Sequence, residues 1–118
     1  MQVYSKKIYT IEEIEEKLRP VFDSNGVTKA ILFGSYAKGE QTEDSDIDLV
    51  VATEDYVRGF AFCEIASDVI DCLDKDVDLI CMKSVIPNGR AYIEIKETGR
   101  VIYEKEGYRA FGESDPLL

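Results

Sequence analysis

The run Ala30-Ile31-Leu32-Phe33-Gly34-Ser35-Tyr36-Ala37-Lys38-Gly39, resumed after six polar residues by Asp46-Ile47-Asp48-Leu49-Val50-Val51, is the most informative part of this chain. Ala30–Phe33 is a continuous apolar run of the kind found in strands buried on both faces, and it predicts a strand over Val27–Phe33. Gly34-Ser35 interrupts that strand, and Ser35–Lys38 leaves room for one short helical turn before Gly39. Glu40–Ser45 reads as a polar loop. Ile47–Ala52 reads as a second strand, because Leu49-Val50-Val51 is too apolar and β-branched for a loop. On that strand Asp46 and Asp48 alternate with Ile47 and Leu49. The two carboxylates then share one face, with Cα atoms roughly 6.6 Å apart, while the apolar pair faces the core.

On the N-terminal side, Thr10 begins a capping box with Glu13, and Ile11, Ile14 and Leu18 follow at helical spacing. That helix should weaken or kink near Pro20 and end at Asn25-Gly26. On the C-terminal side, Thr53 is expected to cap a long helix over about Asp55–Leu73, with Val57, Phe60, Ala61, Ile65, Val69 and Leu73 on its inward stripe. Val77–Met82 reads as a third strand. Pro87-Asn88-Gly89 opens a helix over about Arg90–Glu97, stopped by Gly99, and Arg100–Glu104 reads as a last short strand. The order helix, strand, short helix, strand, long helix, strand, helix describes an α/β sheet domain. The pattern does not specify the order of the strands.

The length of 118 residues suits a single domain over 1–118, with a core at about 10–104 and a tail at 105–118 that is loose from Tyr108 on. Apolar residues make up 45% of it, enough for one core without staples. With 24 acidic against 14 basic residues the net charge is −10, which disfavours direct, sequence-independent nucleic-acid binding. The acidic run Glu12–Glu16 reads as a solvated helix face. Histidine is absent, which excludes a Ser-His-Asp triad, the usual general base and every His-containing zinc site. Any metal must then be held by oxygen, which favours magnesium or manganese. Cys63, Cys72 and Cys81 are spaced by nine, which puts Cys63 and Cys72 on opposite faces of a shared helix. They read as small, partly buried thiols in a reducing compartment. No run approaches the roughly twenty apolar residues of a membrane span, the N-terminus is not an export signal, and a cytoplasmic location is expected.

Two like charges on one sheet face are costly without a compensating cation. Asp78, between Val77 and Leu79 on the third strand, repeats the arrangement. Three carboxylates on adjacent strands point to bound cations, and two-metal phosphoryl-transfer sites hold their ions about 3.5–4 Å apart. Gly34, directly after a buried strand, lets a backbone come close to a ligand. Free N–H groups opening the next helical turn can hold phosphate oxygens, with the Ser35 hydroxyl as a further donor and Lys38 adding charge one turn on. Other readings fit these residues less well. Asp44, Asp46 and Asp48 match the start of a calcium loop, but Leu49 stands where that loop needs glycine. There is no Walker loop and no dinucleotide fingerprint. A sugar-transferase Asp-x-Asp normally belongs to a far longer chain, and a solvated acidic loop would not be followed directly by an apolar strand.

Gly34-Ser35, ten residues, then Asp46-Ile47-Asp48 resembles the signature of the minimal nucleotidyltransferases of the DNA polymerase β superfamily. Asp78 in Val77-Asp78-Leu79-Ile80 matches the family's third carboxylate, and the similarity extends from about Ile11 to Tyr103. The resemblance implies a polymerase β-like nucleotidyltransferase fold, a small mixed β-sheet flanked by helices. It implies that Asp46 and Asp48 bind two magnesium ions bridging the triphosphate of ATP or another nucleoside triphosphate. Gly34 and Ser35 would cradle the outer phosphates, and Asp78 would hold the catalytic metal and help deprotonate an acceptor hydroxyl. Arginines are frequent in the family at the positions of Tyr36 and Lys38, and here only Lys38 keeps the charge. Family members of this length usually serve as antitoxins beside a helical HEPN-domain toxin, a ribonuclease, to which they attach AMP on a tyrosine. The implied partner is therefore a HEPN-domain toxin, and an oligomer is compatible with the sequence. Two other classes stay open here: a non-catalytic antitoxin that blocks its partner by binding, and a small-molecule, antibiotic-type adenylyltransferase. Arg90, Lys96 and Arg100 read as solvated positions, Tyr92 and Tyr103 as packing.

Overall fold

The computed structural model describes residues 7–105, so the expected loose tail over Tyr108–Leu118 lies outside the described residues. Helix α1, Ile11–Ser24, begins with the expected capping box: the Glu13 N–H donates to Thr10 Oγ1 at 3.1 Å and the Thr10 N–H to Glu13 Oε1 at 2.9 Å. Pro20 removes one backbone donor but does not end the helix. The stripe Ile14, Leu18, Phe22 is buried through that point, so packing carries the helix on to Ser24. Near its end the Ser24 hydroxyl donates to the Pro20 carbonyl and the Asn25 amide to the Val21 carbonyl, both at 2.8 Å.

Strand β1, Val27–Phe33, is buried at all seven positions. After it come α2 (Ser35–Lys38), β2 (Ile47–Thr53), α3 (Phe60–Leu73), β3 (Val77–Cys81), a 3-10 turn (Met82–Ser84), α4 (Arg90–Thr98) and β4 (Arg100–Glu104). The sheet order is β3-β2-β1-β4. β1 runs antiparallel to both β2 and β4, and β2 runs parallel to β3. The parallel pair needs a crossover, which α3 supplies. β1 is central because its uninterrupted apolar run can be covered on both faces.

Helix α3 is shorter than its sequence pattern suggests. Thr53 ends β2 instead of capping a helix, and the Val57 N–H closes a turn onto the Glu54 carbonyl at 3.0 Å before the helix starts at Phe60. Phe60, expected to face inward, is 89% exposed. The buried stripe is Ile65, Val69 and Leu73, spaced by four, and Phe60 lies five residues ahead of it, about 140° around the helix. Cys63 is exposed and only Cys72 and Cys81 are partly buried, so the thiol prediction holds for two of three; all three are free.

The two faces of the sheet carry different cores. Ala30, Leu32, Leu49 and Val51 pack beneath α1 and α3, together with the fully buried Tyr36. Ile31, Phe33 and Val50 pack beneath α4, against Ile95, with Tyr92 at the margin. Tyr103 stacks at a tilt on Phe22, ring centroids 5.2 Å apart, and its hydroxyl donates to Asp23. Both tyrosines singled out as packing residues do pack.

Candidate active site

Asp48 and Asp78 are register partners across the β2–β3 pair. Paired strands lie about 4.8 Å apart and partner residues point to the same side. That side is the α4 face, because Val50 and Ile80, two positions on, belong to the α4 core. Asp46 immediately precedes β2, one residue short of the strand on which it was expected. It nevertheless acts on the ionisation of Asp48. The Asp48 carboxyl is pushed up from 3.8 to about 6, first by burial, then by the charges of Asp78, Glu94 and Asp46. Asp46 and Asp78 themselves are exposed, and Asp48 is half-buried.

Gly34 adopts φ 77° and ψ −153°, a region essentially reserved for glycine. A Cβ there would collide with the Asp48 carboxylate. The turn after β1 and the carboxylate of β2 are thus in direct contact, and the missing side chain is what permits it. The Gly34 N–H donates to Thr98 Oγ1 at 3.2 Å, and the Gly34 carbonyl accepts from the Lys38 N–H at 3.1 Å. The N–H groups of Ser35, Tyr36 and Ala37 open α2 and, as in any first helical turn, have no intrahelical acceptor. Lys38 ends α2 with its ammonium 3.4 Å from Glu40 Oε1, so part of its charge is already met by a neighbour.

The loop between Gly39 and Asp46 is tied down. The Gln41 amide donates to the Tyr9 carbonyl at 3.3 Å, and the Thr42 N–H to Ser45 Oγ at 2.9 Å. Lys75, only 3% exposed, donates from Nζ to the carbonyls of Lys7 at 3.0 Å and Glu43 at 3.1 Å. The backbone of this segment is held in place, while its acidic side chains Glu40, Glu43, Asp44 and Asp46 stay exposed. The calcium-loop reading falls, since its sixth position, Leu49, lies fully buried within β2.

Two residues at this site were not anticipated. Glu94 faces Asp48 electrostatically, and Thr98, one helical turn further along α4, holds the Gly34 N–H. Their spacing of four was the only available signal, and it says nothing about what the helix packs on. Arg90, Lys96 and Arg100 are exposed, as expected.

The donors in this neighbourhood are carboxylate oxygens, with Asp48 half-buried and repelled by the charges around it, which suits a hard divalent cation. Among the described residues, no three potential ligands are gathered closely enough to hold an ion unaided. Magnesium commonly binds through one or two carboxylates and completes its shell with water and substrate phosphates, so this open arrangement fits it.

The profile of the family described as Polymerase beta, Nucleotidyltransferase matches residues 16–108. The chain belongs to this family. A protein adenylyltransferase MntA of Thermococcus cleftensis is 36% identical to this nucleotidyltransferase over 92 residues, covering 75% of this chain and 92% of the relative. The protein adenylyltransferase MntA of Shewanella oneidensis is 43% identical over 53 residues, 45% of this chain and 38% of that protein. A crystal structure of a toxin–antitoxin with AMP-PNP aligns with a TM-score of 0.65 at 29% identity, covering 78% of this chain and 74% of that one. A structure of a minimal nucleotidyltransferase aligns equally well, TM-score 0.65 at 24% identity, over 78% of this chain and 95% of that one, which bears on the fold alone. The expected small mixed sheet flanked by helices is the fold of this family. Nucleotidyltransferases of this kind generally use divalent metals. No helix among the described residues is long and apolar enough to cross a membrane.

Proposed function

We propose that this nucleotidyltransferase moves AMP from ATP to a hydroxyl of a partner protein, a tyrosine of a HEPN-domain toxin, and so acts as its antitoxin in the cytoplasm. The observation that carries the reading is the contact between Gly34 and Asp48, with Asp78 in register beside it. It brings a backbone turn suited to phosphate within reach of carboxylates suited to a cation. The likeness to proteins called protein adenylyltransferase, and to a toxin–antitoxin structure with AMP-PNP, supports the donor and the partner class.

Asp46 and Asp48 would hold two magnesium ions against the triphosphate. When bound, those ions would supply charge neutralisation at the phosphates, the chief requirement of phosphoryl transfer. Gly34 and Ser35 would receive the outer phosphates, the glycine by leaving room and Ser35 through its N–H and hydroxyl. Lys38 would add charge at long range, weakened by Glu40. Asp78 would meet the incoming acceptor, a role supported by its exposure on the edge strand β3. Its carboxylate would take the hydroxyl proton as the acceptor oxygen bonds to the α-phosphorus and the bond to the β-phosphate breaks, releasing pyrophosphate. No histidine is needed, because positioning and charge do the chemistry.

The test is calorimetric titration of ATP, GTP, CTP and UTP with and without magnesium, on the native chain and on Asp46→Asn, Asp48→Asn. It is paired with mass spectrometry of a co-purified HEPN partner after incubation with each nucleotide. Magnesium-dependent binding of ATP, lost in the double variant, and a partner heavier by one AMP on tyrosine are expected. A double variant that still neutralises the toxin, with no mass added by the native chain, would instead establish a binding-only antitoxin.

A further inference from the structure

We infer that Thr98 is a positioning residue for the phosphate turn: its hydroxyl holds the Gly34 N–H and thereby sets the peptide that turns Ser35 toward a nucleotide's phosphates. The inference rests on the phosphate-cradle reading of Gly34 and Ser35. The Gly34 N–H donates to Thr98 Oγ1 at 3.2 Å, and the Thr98 hydroxyl donates its own proton to the Glu94 carbonyl at 2.8 Å. A hydroxyl has a single proton. With that proton committed to Glu94, only lone pairs face Gly34, and the direction of both hydrogen bonds is determined.

A hold matters at Gly34 because glycine is free to adopt many conformations. Its φ of 77° and ψ of −153° are open to glycine without strain, so contacts from outside the turn must select them. The Thr98 bond ties the N–H side of Gly34 to α4, and the Lys38 N–H ties its carbonyl to α2. Thr98 is itself held firmly. At Gly99 a Cβ would collide with the Ile95 carbonyl and stand 3.0 Å from Ile31 Cγ2, so the end of α4 lies directly on β1. Ile95, fully buried, anchors the same turn against Ile31, Phe33 and Val50. Because the Gly34 N–H is occupied from the protein side, the backbone donors left for phosphate are those that open α2, with the Ser35 N–H first among them. This arrangement assigns to α4 a part in nucleotide binding through an uncharged side chain.

The decisive experiment titrates ATP with magnesium into the native chain, Thr98→Val and Thr98→Ser, and follows backbone amide exchange by NMR in all three. Losing this part-buried hydrogen bond should weaken nucleotide binding about tenfold in Thr98→Val. Thr98→Ser should stay within about twofold of the native chain, because the hydroxyl is retained. The Gly34 amide should be protected in the native chain and in Thr98→Ser, and should keep its chemical shift when nucleotide is added, while the Ser35 amide moves. Equal or tighter binding by Thr98→Val overturns the proposal, as does an unprotected native Gly34 amide. If Thr98→Val does not fold, the native and serine spectra decide alone. If the native chain binds no nucleotide, the cradle reading fails by itself. In that case Gly34 protection lost in the valine variant and kept in the serine variant still supports the tether, and equal protection in both refutes it.

Discussion

One face of the sheet is sealed by two fourteen-residue helices, while the other carries a nine-residue helix and a single 3-10 turn. On the sealed face Ile14, Leu18, Ile65, Val69 and Leu73 have no exposure at all. On the other face the fully enclosed residues are few, Ile93 and Val101 remain 48% and 41% exposed, and Asp48 and Asp78 stand in register beside α4. The difference separates two tasks. The larger apolar cluster lies under α1 and α3, and burial of that extent offsets the cost of keeping a self-repelling carboxylate group on the α4 face. Strand β2 serves both faces at once: Leu49 and Val51 pack below, while Asp48 and the buried Val50 face α4.

The comparison breaks if Asp48 proves to stabilise the fold. Asp48→Asn should reduce AMP transfer by a factor on the order of 1,000, as expected when a metal-binding charge is lost from a phosphoryl-transfer site. The same change should raise the melting temperature of the nucleotide-free chain, because burial and the neighbouring charges of Asp78, Glu94 and Asp46 oppose ionisation of that carboxyl. Allowing for partial solvent screening, roughly 1 kcal/mol is expected. A lower melting temperature, read by calorimetry, would contradict the division of labour.

Denaturant titration of two apolar truncations sharpens it. Leu73→Ala beneath α1 and α3 should cost about 2–5 kcal/mol, the range for emptying a well-packed site. Ile93→Ala on the α4 face should cost no more than about 0.5 kcal/mol. Comparable losses at the two positions would show that the faces contribute equally.

Dependence on pH follows from the same carboxyl. Asp48 binds more protons folded than unfolded between its ordinary 3.8 and about 6, so the stability of the free chain falls as pH rises through that window and levels off above it. Cation binding needs the ionised form, so magnesium-dependent nucleotide affinity should move the opposite way. It should rise about tenfold from pH 5 to pH 7 and release protons on binding. Calorimetry in two buffers of different ionisation enthalpy measures both quantities. The smallest effect belongs to Lys38. Its exposed pairing with Glu40 at 3.4 Å makes it a modest contributor. Lys38→Ala should raise the KM for nucleotide only about threefold, as the weak energy of a screened surface charge allows. A far larger rise would show that Lys38 leaves Glu40 for the phosphates.

The unit from Val27 to Thr53 was legible almost residue by residue: β1 and α2 match the bounds predicted for them, and β2 runs one residue beyond its predicted end. Apolar runs, a strand-ending glycine and strict alternation are local signals, each set by residues a few positions apart. The same locality misplaced the start of α3. An apolar stripe continued through Val57 and Phe60 looks helical in one dimension, and only the turn at Glu54–Val57 separates it from the packed stripe at Ile65. Pro20 shows the converse, a local breaker overridden by a buried helix face.

Composition and spacing alone pointed to Gly34-Ser35 and three aspartates as a candidate site with oxygen donors and no histidine, because residue type sets ligand chemistry before any fold exists. Strand order, the antiparallel run of β1 against β2 and the parallel Asp48–Asp78 pairing came only with the tertiary structure. So did the residues that reach the site from afar: Thr98 meets Gly34 across 64 positions, and Lys75 meets Glu43 across 32. Such contacts depend on how helices cross a twisted sheet, a property of packed surfaces as a whole, and no window of sequence short enough to read contains both partners.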